Sequence, residues 1–236
     1  MTKVNPDKTN FELFTLSTKK HNINLVYNNN AVLRTDCATY LGISLDSRLT
    51  WTKHIAKVVE KATSRLSLLK RIAGVKWGSS QSVLNSTFTS FIGPVIDYGS
   101  ELLVTASDSA LLKMDIVQNK ALRFITGVAT STPIASMELQ TEISSSSERR
   151  QYSVLSLGER LMRKEHFWPK YIPSQTRLKT QHTFLFEFQR LANVFGFSDN
   201  RLPLFRPTTF PGHLRYASAN LDLVLPVHKH NSLLLS

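Results

Sequence analysis

Residues 40–76 read YLGISLDSRLTWTKHIAKVVEKATSRLSLLKRIAGVK, and the fold turns on how this stretch is divided. Residues 38–45 (ATYLGISL) have the alternation of a strand, with Gly42 inside it as a bulge or a point of close backbone approach. Asp46 and Ser47 make a turn, and Thr50 or Thr52 can cap a helix. Ile55, Val58, Val59, Ala62, Leu66, Leu69 and Ile72 then recur at three- and four-residue steps, which defines one buried helical face. Gly74 is placed to end that helix. Lys53, Lys57, Lys61 and Arg65 stand four apart and line up along the outer side, and Lys70, Arg71 and Lys76 extend the positive end.

Only Glu60 is acidic between Trp51 and Lys76. Like charges four apart repel by about 0.2–0.5 kcal/mol per pair, so selection for helix stability alone would mix the signs. Two readings compete. One is a solvated cationic face with no partner. The other is a surface for phosphates, which lysines attract as point charges without reading bases.

Upstream, 11–17 (FELFTLS) suits a partly buried strand. INLVY and AVLRT flank Asn28-Asn29-Asn30, residues that tolerate positive φ and suit a hairpin turn. Downstream, a second helix covers about 80–93, with Val83, Leu84, Phe88, Phe91 and Ile92 inward and Pro94 kinking or ending it. VIDYGSELL carries on to about 103. A third helix starts at Ser107 or Asp108 and runs to Thr126, its exposed side offering Gln118, Asn119, Lys120 and Arg123. A short helix follows Thr132-Pro133, and Ser145 with Glu148 has capping-box spacing for a fourth long helix over about 146–165. Residues 183–197 are aromatic-rich and helix-compatible, while Leu202–Pro226 hold four of the nine prolines and no period. The expected fold is α+β: a small N-terminal antiparallel sheet of three to four strands, a mainly α-helical bundle, and an irregular Pro-rich tail. The divisions fall at 1–50, 51–150 and 151–236, and the path of 167–236 is left open.

The bulk composition agrees. In 236 residues, 42% are hydrophobic, and 29 Lys+Arg against 17 Asp+Glu leave a formal charge of +12. That excess favours anionic partners, nucleic acid first. One cysteine, Cys37, excludes an internal disulfide and a cysteine zinc site, and points to a reducing compartment, cytosol or nucleus. No apolar run approaches the ~18 residues of a membrane span. The polar N-terminus is not a signal peptide, and the loop-like NPDK at 5–8, close behind Met1, reads as a start in mid-domain.

Catalytic patterns are missing. There is no phosphate loop, dinucleotide fingerprint or nucleophile elbow, and no adjacent Asp pair or DxD. His228 and His230 lack nearby ligands. Asp36 and Asp46 are a weak candidate pair for a metal, with Asp46 better read as a turn residue.

Five segments in order resemble the reverse transcriptases of non-LTR (LINE-type, jockey-like) retrotransposons: KTNFELF, YLGISLDSRLTWTKHI, KATSRLSLLKRIAG, TFTSFIGPVIDYGSEL, and IVQNKALRFITG with STPIASM. The resemblance covers about residues 5–150 well and the remainder loosely. It implies that Leu41, Gly42 and Ile43 lie on the strand that positions the primer terminus. It also implies that the helices from Trp51 form the thumb that grips a template–primer duplex, and that the tail leads toward a ribonuclease H domain. The fingers and the palm's aspartate pair have no counterpart in these residues, so Mg2+ would belong to the palm and no cofactor to this chain. The functional expectation is a template–primer-binding fragment of an RNA-directed DNA polymerase, inactive alone. It would act on RNA or an RNA–DNA hybrid, beside the absent fingers and palm. The alternatives are a stand-alone basic nucleic-acid-binding module and a decayed retrotransposon reading frame without function.

Overall fold

A computed structural model of the chain describes residues 5, 9–17, 19, 21–74, 78–163, 176–178 and 181–196. The chain divides into two compact units, Met1–Phe188 and Gln189–Ser236. The α+β class is borne out: short strands come first and helices dominate from Thr52 onward. The Pro-rich tail, His228 and His230 lie outside the described residues.

The strands ahead of the helices make two separate sheets. In the first, β2 (Leu25–Tyr27) and β3 (Asn30–Arg34) form an antiparallel hairpin. Its turn residues Asn28 and Asn29 both have positive φ, as expected of asparagine in a tight hairpin. β1 (Asn10–Phe11) joins β3 in parallel, so the expected strand over 11–17 shrinks to its first residue. The rest of that segment is held singly, as where the Glu12 carboxylate accepts from the Ala38 amide at 2.7 Å.

The second ladder corrects the reading of residues 38–45. They are not one strand with a bulge but an antiparallel hairpin, β4 (Cys37–Tyr40) against β5 (Ile43–Asp46). Leu41 (φ 47°) and Gly42 (φ 81°) are its two turn residues. Positive φ at both positions matches the right-handed twist of the flanking strands, which is why the chain reverses here instead of bulging.

Helix α1 (Thr52–Ile72) follows directly. Neither threonine caps it; Trp51, in the left-handed conformation, stands at its N-terminus. The organising group is the Asp46 carboxylate, which accepts from the amides of Arg48, Thr50 and Trp51 at 3.0–3.2 Å and from the Thr50 hydroxyl at 3.1 Å. It fixes the turn that leads into α1, while the helix's own first amides receive no side-chain cap. At the other end the Ala73 amide donates to Leu69 O, and Gly74 does not take up positive φ.

Ile55, Val58, Ala62, Leu66 and Leu69 are buried, with Val59 and Ile72 packed at the margin. Each of the fully buried Ile, Val and Leu side chains contributes about 1.5–3 kcal/mol through burial, and Ala62 less. α1 packs chiefly on α5 (Asp108–Thr126), which spans the expected range and ends on left-handed Gly127. The expected helix over 80–93 is in fact α2 (Gln81–Thr87), a π-helical turn (Phe88–Ile92) and α3 (Gly93–Asp97), then α4 (Ser100–Leu103). Pro94 has no N–H to give its own helix, and the chain widens ahead of it so that the Gly93 amide reaches Phe88 O. The widening turns Phe91 outward, and Val83 in α2 is exposed, both against expectation; Leu84, Phe88 and Ile92 remain in the core.

α6 (Ile134–Thr141) and α7 (Ser146–Met162) complete the helical body. Ser145 Oγ accepts from the Glu148 amide at 3.1 Å, as its spacing indicated, and α7 runs on continuously past residue 150. Strands β6 (Thr176–Leu178) and β7 (Gln181–His182) pair antiparallel, and α8 covers Phe184–Val194.

Candidate nucleic-acid interface

Along α1 each four-residue step advances about 40° around the axis, so the Lys53–Lys57–Lys61–Arg65 row winds instead of running straight. Lys53 points opposite the core and Arg65 lies at its margin. The structure separates these cations by what their heads touch. Lys61 and Arg71 are exposed and make no hydrogen bond or ion pair among the described residues. Lys53 reaches Asp36 O at 3.4 Å, a long and exposed contact. Lys57 Nζ donates to Ser44 Oγ at 2.8 Å. Arg65 donates to Phe91 O and stacks over the Phe91 ring at 4.3 Å. Lys70 sits over the Phe124 ring at 5.9 Å, on the opposite flank. Lys76 lies outside the described residues.

None of the six described cations is paired with a carboxylate. Arginines elsewhere are treated differently. Arg149 makes a double contact with Asp97 (2.9 and 3.0 Å) and also reaches Gln118 Oε1 at 2.8 Å, and Arg150 joins Asp115 and Ser146. These buried and half-buried groups satisfy one another and fix α7 on α3 and α5. Gln118, expected on an exposed face, is therefore a buried structural residue, its amide donating to Ser144 O at 2.9 Å.

Leu41, Gly42 and Ile43 come together at the hairpin tip, beside the first turns of α1. Leu41 is 71% exposed and Tyr40 is exposed next to it. The Tyr98 hydroxyl donates to Leu41 O at 2.6 Å, and Gly99 (φ 69°) sits so close to Ile43 that a Cβ there would meet its Cδ1 at 2.9 Å. Ser44, behind the tip, is buried. Its amide donates to His54 Nδ1 at 3.3 Å and its hydroxyl accepts from Lys57. His54 is only 3% exposed, and burial first, then the Lys57 charge, pushes its pKa below the ordinary value of 6.5.

Sequence reasoning missed the parts of His54, Ser44 and Tyr98, and misplaced Gln118. A signal existed only for His54, which falls between Trp51 and Ile55 on the side of α1 that turns toward the hairpin.

Asp36 and Asp46 do not build a metal site. The Asp46 oxygens are occupied by the amide and hydroxyl donors of the turn, and the described residues hold no cluster of three or more His, Cys, Asp or Glu side chains able to ligate an ion. Among them no helix is long and apolar enough to cross a membrane.

Over about half its length this chain is similar to RNA-directed DNA polymerases of non-LTR retrotransposons, the family its five sequence segments resemble. Three Drosophila melanogaster proteins carry that relationship. It is 29% identical over 125 residues to the "probable RNA-directed DNA polymerase from transposon BS" and 32% identical over 131 residues to the "probable RNA-directed DNA polymerase from transposon X-element". Each alignment takes in 52% of this chain and 14% of the relative. It is 30% identical over 88 residues to the "RNA-directed DNA polymerase from mobile element jockey", which is 37% of this chain and 10% of that protein. The chain thus spans a small part of these curated relatives. No family model matches it, and no solved structure does.

Proposed function

We propose that this chain contributes template–primer binding to an RNA-directed DNA polymerase of a transposable element. Its 51–150 region plays the part of the thumb, and no catalytic group is supplied by the residues named here. The observation that carries the reading is the row of α1 cations without a carboxylate partner, set beside a projecting apolar turn. Lys53, Lys61 and Arg71 have the heads most available to phosphates. Lys57, Arg65, Lys70 and Lys76 add positive potential. Leu41, Gly42 and Ile43 lay an apolar surface against the primer strand. Affinity without base reading follows from lysine chemistry, and a duplex, RNA–DNA hybrid or RNA, is the partner class.

The test is binding of a fluorescent RNA–DNA hybrid as a function of salt. About three phosphate contacts give a log–log slope of about −3, and Lys61→Ala lowers its magnitude by about 1 without changing stability. A flat salt dependence, or an unchanged slope when Lys53, Lys61 and Arg71 are all alanine, rules out the interface.

A further inference from the structure

The β4–β5 hairpin carries the tip, yet its own ladder is only four residue pairs long. A two-stranded ribbon of that size is marginal by itself. Glu12 holds the Ala38 amide, and Ile43 and Leu45 pack on the core; further side-chain hydrogen bonds reach the tip and the strand behind it from two directions. From α1, His54 Nδ1 accepts the Ser44 amide and Lys57 Nζ donates to the Ser44 hydroxyl. From the α3–α4 junction, the Tyr98 hydroxyl donates to the carbonyl of Leu41, inside the turn itself. The bonds are of unequal quality: 2.6 Å at Tyr98, 2.8 Å at Lys57 and 3.3 Å at His54. Accepting at Nδ1 requires the neutral imidazole with its proton on Nε2, and that buried Nε2 has no partner among the described residues. An imidazole left with an unpartnered buried nitrogen is a poor choice for stability alone. It makes sense as a device that holds the Ser44 amide.

We propose that Tyr98, His54 and Lys57 are positioning residues, which together hold the Tyr40–Ile43 tip at a set height beside the exposed face of α1. The inference rests on the reading of that tip and face as a duplex contact. It adds that the contact works only because the two are held in register. Tyr98 fixes the turn and the Ser44 pair fixes the strand behind it, so loosening either lets the hairpin swing while the helices stay packed.

The joint is tested without nucleic acid by amide hydrogen exchange on the full chain. Tyr98→Phe removes one hydroxyl from an exposed ring and is expected to fold. Exchange of the Cys37–Asp46 amides should rise about tenfold, the equivalent of one net hydrogen bond, while α1 and α5 amides are unchanged. His54→Leu should do the same, and His54→Asn, which keeps an acceptor near the Nδ1 position, should restore most of the protection. Unchanged hairpin exchange in Y98F and H54L overturns the joint. So does a rise spread equally over α1 and α5, which would make these residues ordinary stabilisers. The hybrid-duplex assay is the second arm. Y98F should bind several-fold more weakly with the salt slope unchanged, since no phosphate contact is removed. A loosened hairpin with undiminished affinity overturns the positioning role. If the unaltered chain binds no hybrid at all, the functional reading falls, and the exchange result still decides whether the joint exists.

Discussion

At the scale of single residues, His54 links the fold to pH. A buried imidazole favours its neutral form, and here its pKa is held below the 6.5 of a free histidine by burial and then by Lys57. Above pH 6.5 both folded and unfolded chains carry it neutral, and its contribution to stability is fully present. As pH falls through 6.5 toward the lower folded value, the unfolded chain takes up the proton first, and stability declines. Glu138 acts in the opposite sense. Burial, then Glu148 and Asp115, raise its pKa above 4.5 against the pull of Arg149, so its contribution is lost as pH rises through the carboxylate range. Urea midpoints between pH 7.5 and 5.5 should therefore fall for the natural chain and fall less for His54→Asn. Equal pH dependence in both would remove His54 from this account. Asp46 shows how far a single residue was legible: its turn role could be read from its place between strand and helix. That its carboxylate would gather the Thr50 and Trp51 amides just ahead of α1 could not, because those donors arrive through backbone angles no pattern announces.

At the scale of elements, local periodicity served well wherever one helix buries one face. α5 lies where its capping residues and terminal glycine put it, and α7 begins at its capping box. It served poorly at 80–103, where the missing N–H of Pro94 brings in a π-helical turn that carries Phe91 out of the pattern, and where Val83 of α2 is exposed. The β4–β5 hairpin was misread because Leu41-Gly42 lacks the asparagine or aspartate that normally announces such a turn. Gly158 carries an element-scale prediction. It lies mid-helix in α7, where alanine is usually worth up to about 1 kcal/mol more. Here the Phe188 ring of α8 occupies the space a Cβ would need, down to its Cγ. Moving a whole ring typically costs about 1–3 kcal/mol, so the clash outweighs the propensity gain. Gly158→Ala should lower the urea midpoint, and an equal or higher midpoint would mean the ring yields freely.

At the scale of the whole molecule, the charge of +12 is unevenly used. Carboxylates are spent on tying helices together, as at Asp97 and Asp115, while α1 has six lysines and arginines and one glutamate. This asymmetry was legible from sequence, because it depends only on which residues occupy one helix. The division of labour within the row was not. Whether a lysine head is free depends on what a distant segment brings to it: Ser44 for Lys57, the Phe91 carbonyl and ring for Arg65, the Phe124 ring for Lys70. A row that looks uniform in sequence is therefore part contact surface and part scaffold.

The left-handed backbone at Leu41 has a consequence for how this chain trades folding against contact. A leucine there is unfavourable by about 1–2 kcal/mol relative to residues that adopt that conformation readily, and its side chain, 71% exposed, recovers little by burial. Leu41→Asn should raise the melting temperature, since asparagine suits the turn, and at the same time weaken hybrid-duplex binding by removing the apolar tip. Opposite signs in the two measurements would mark Leu41 as a position kept for what it touches at the expense of the fold. A gain in both would mean that the tip meets nothing.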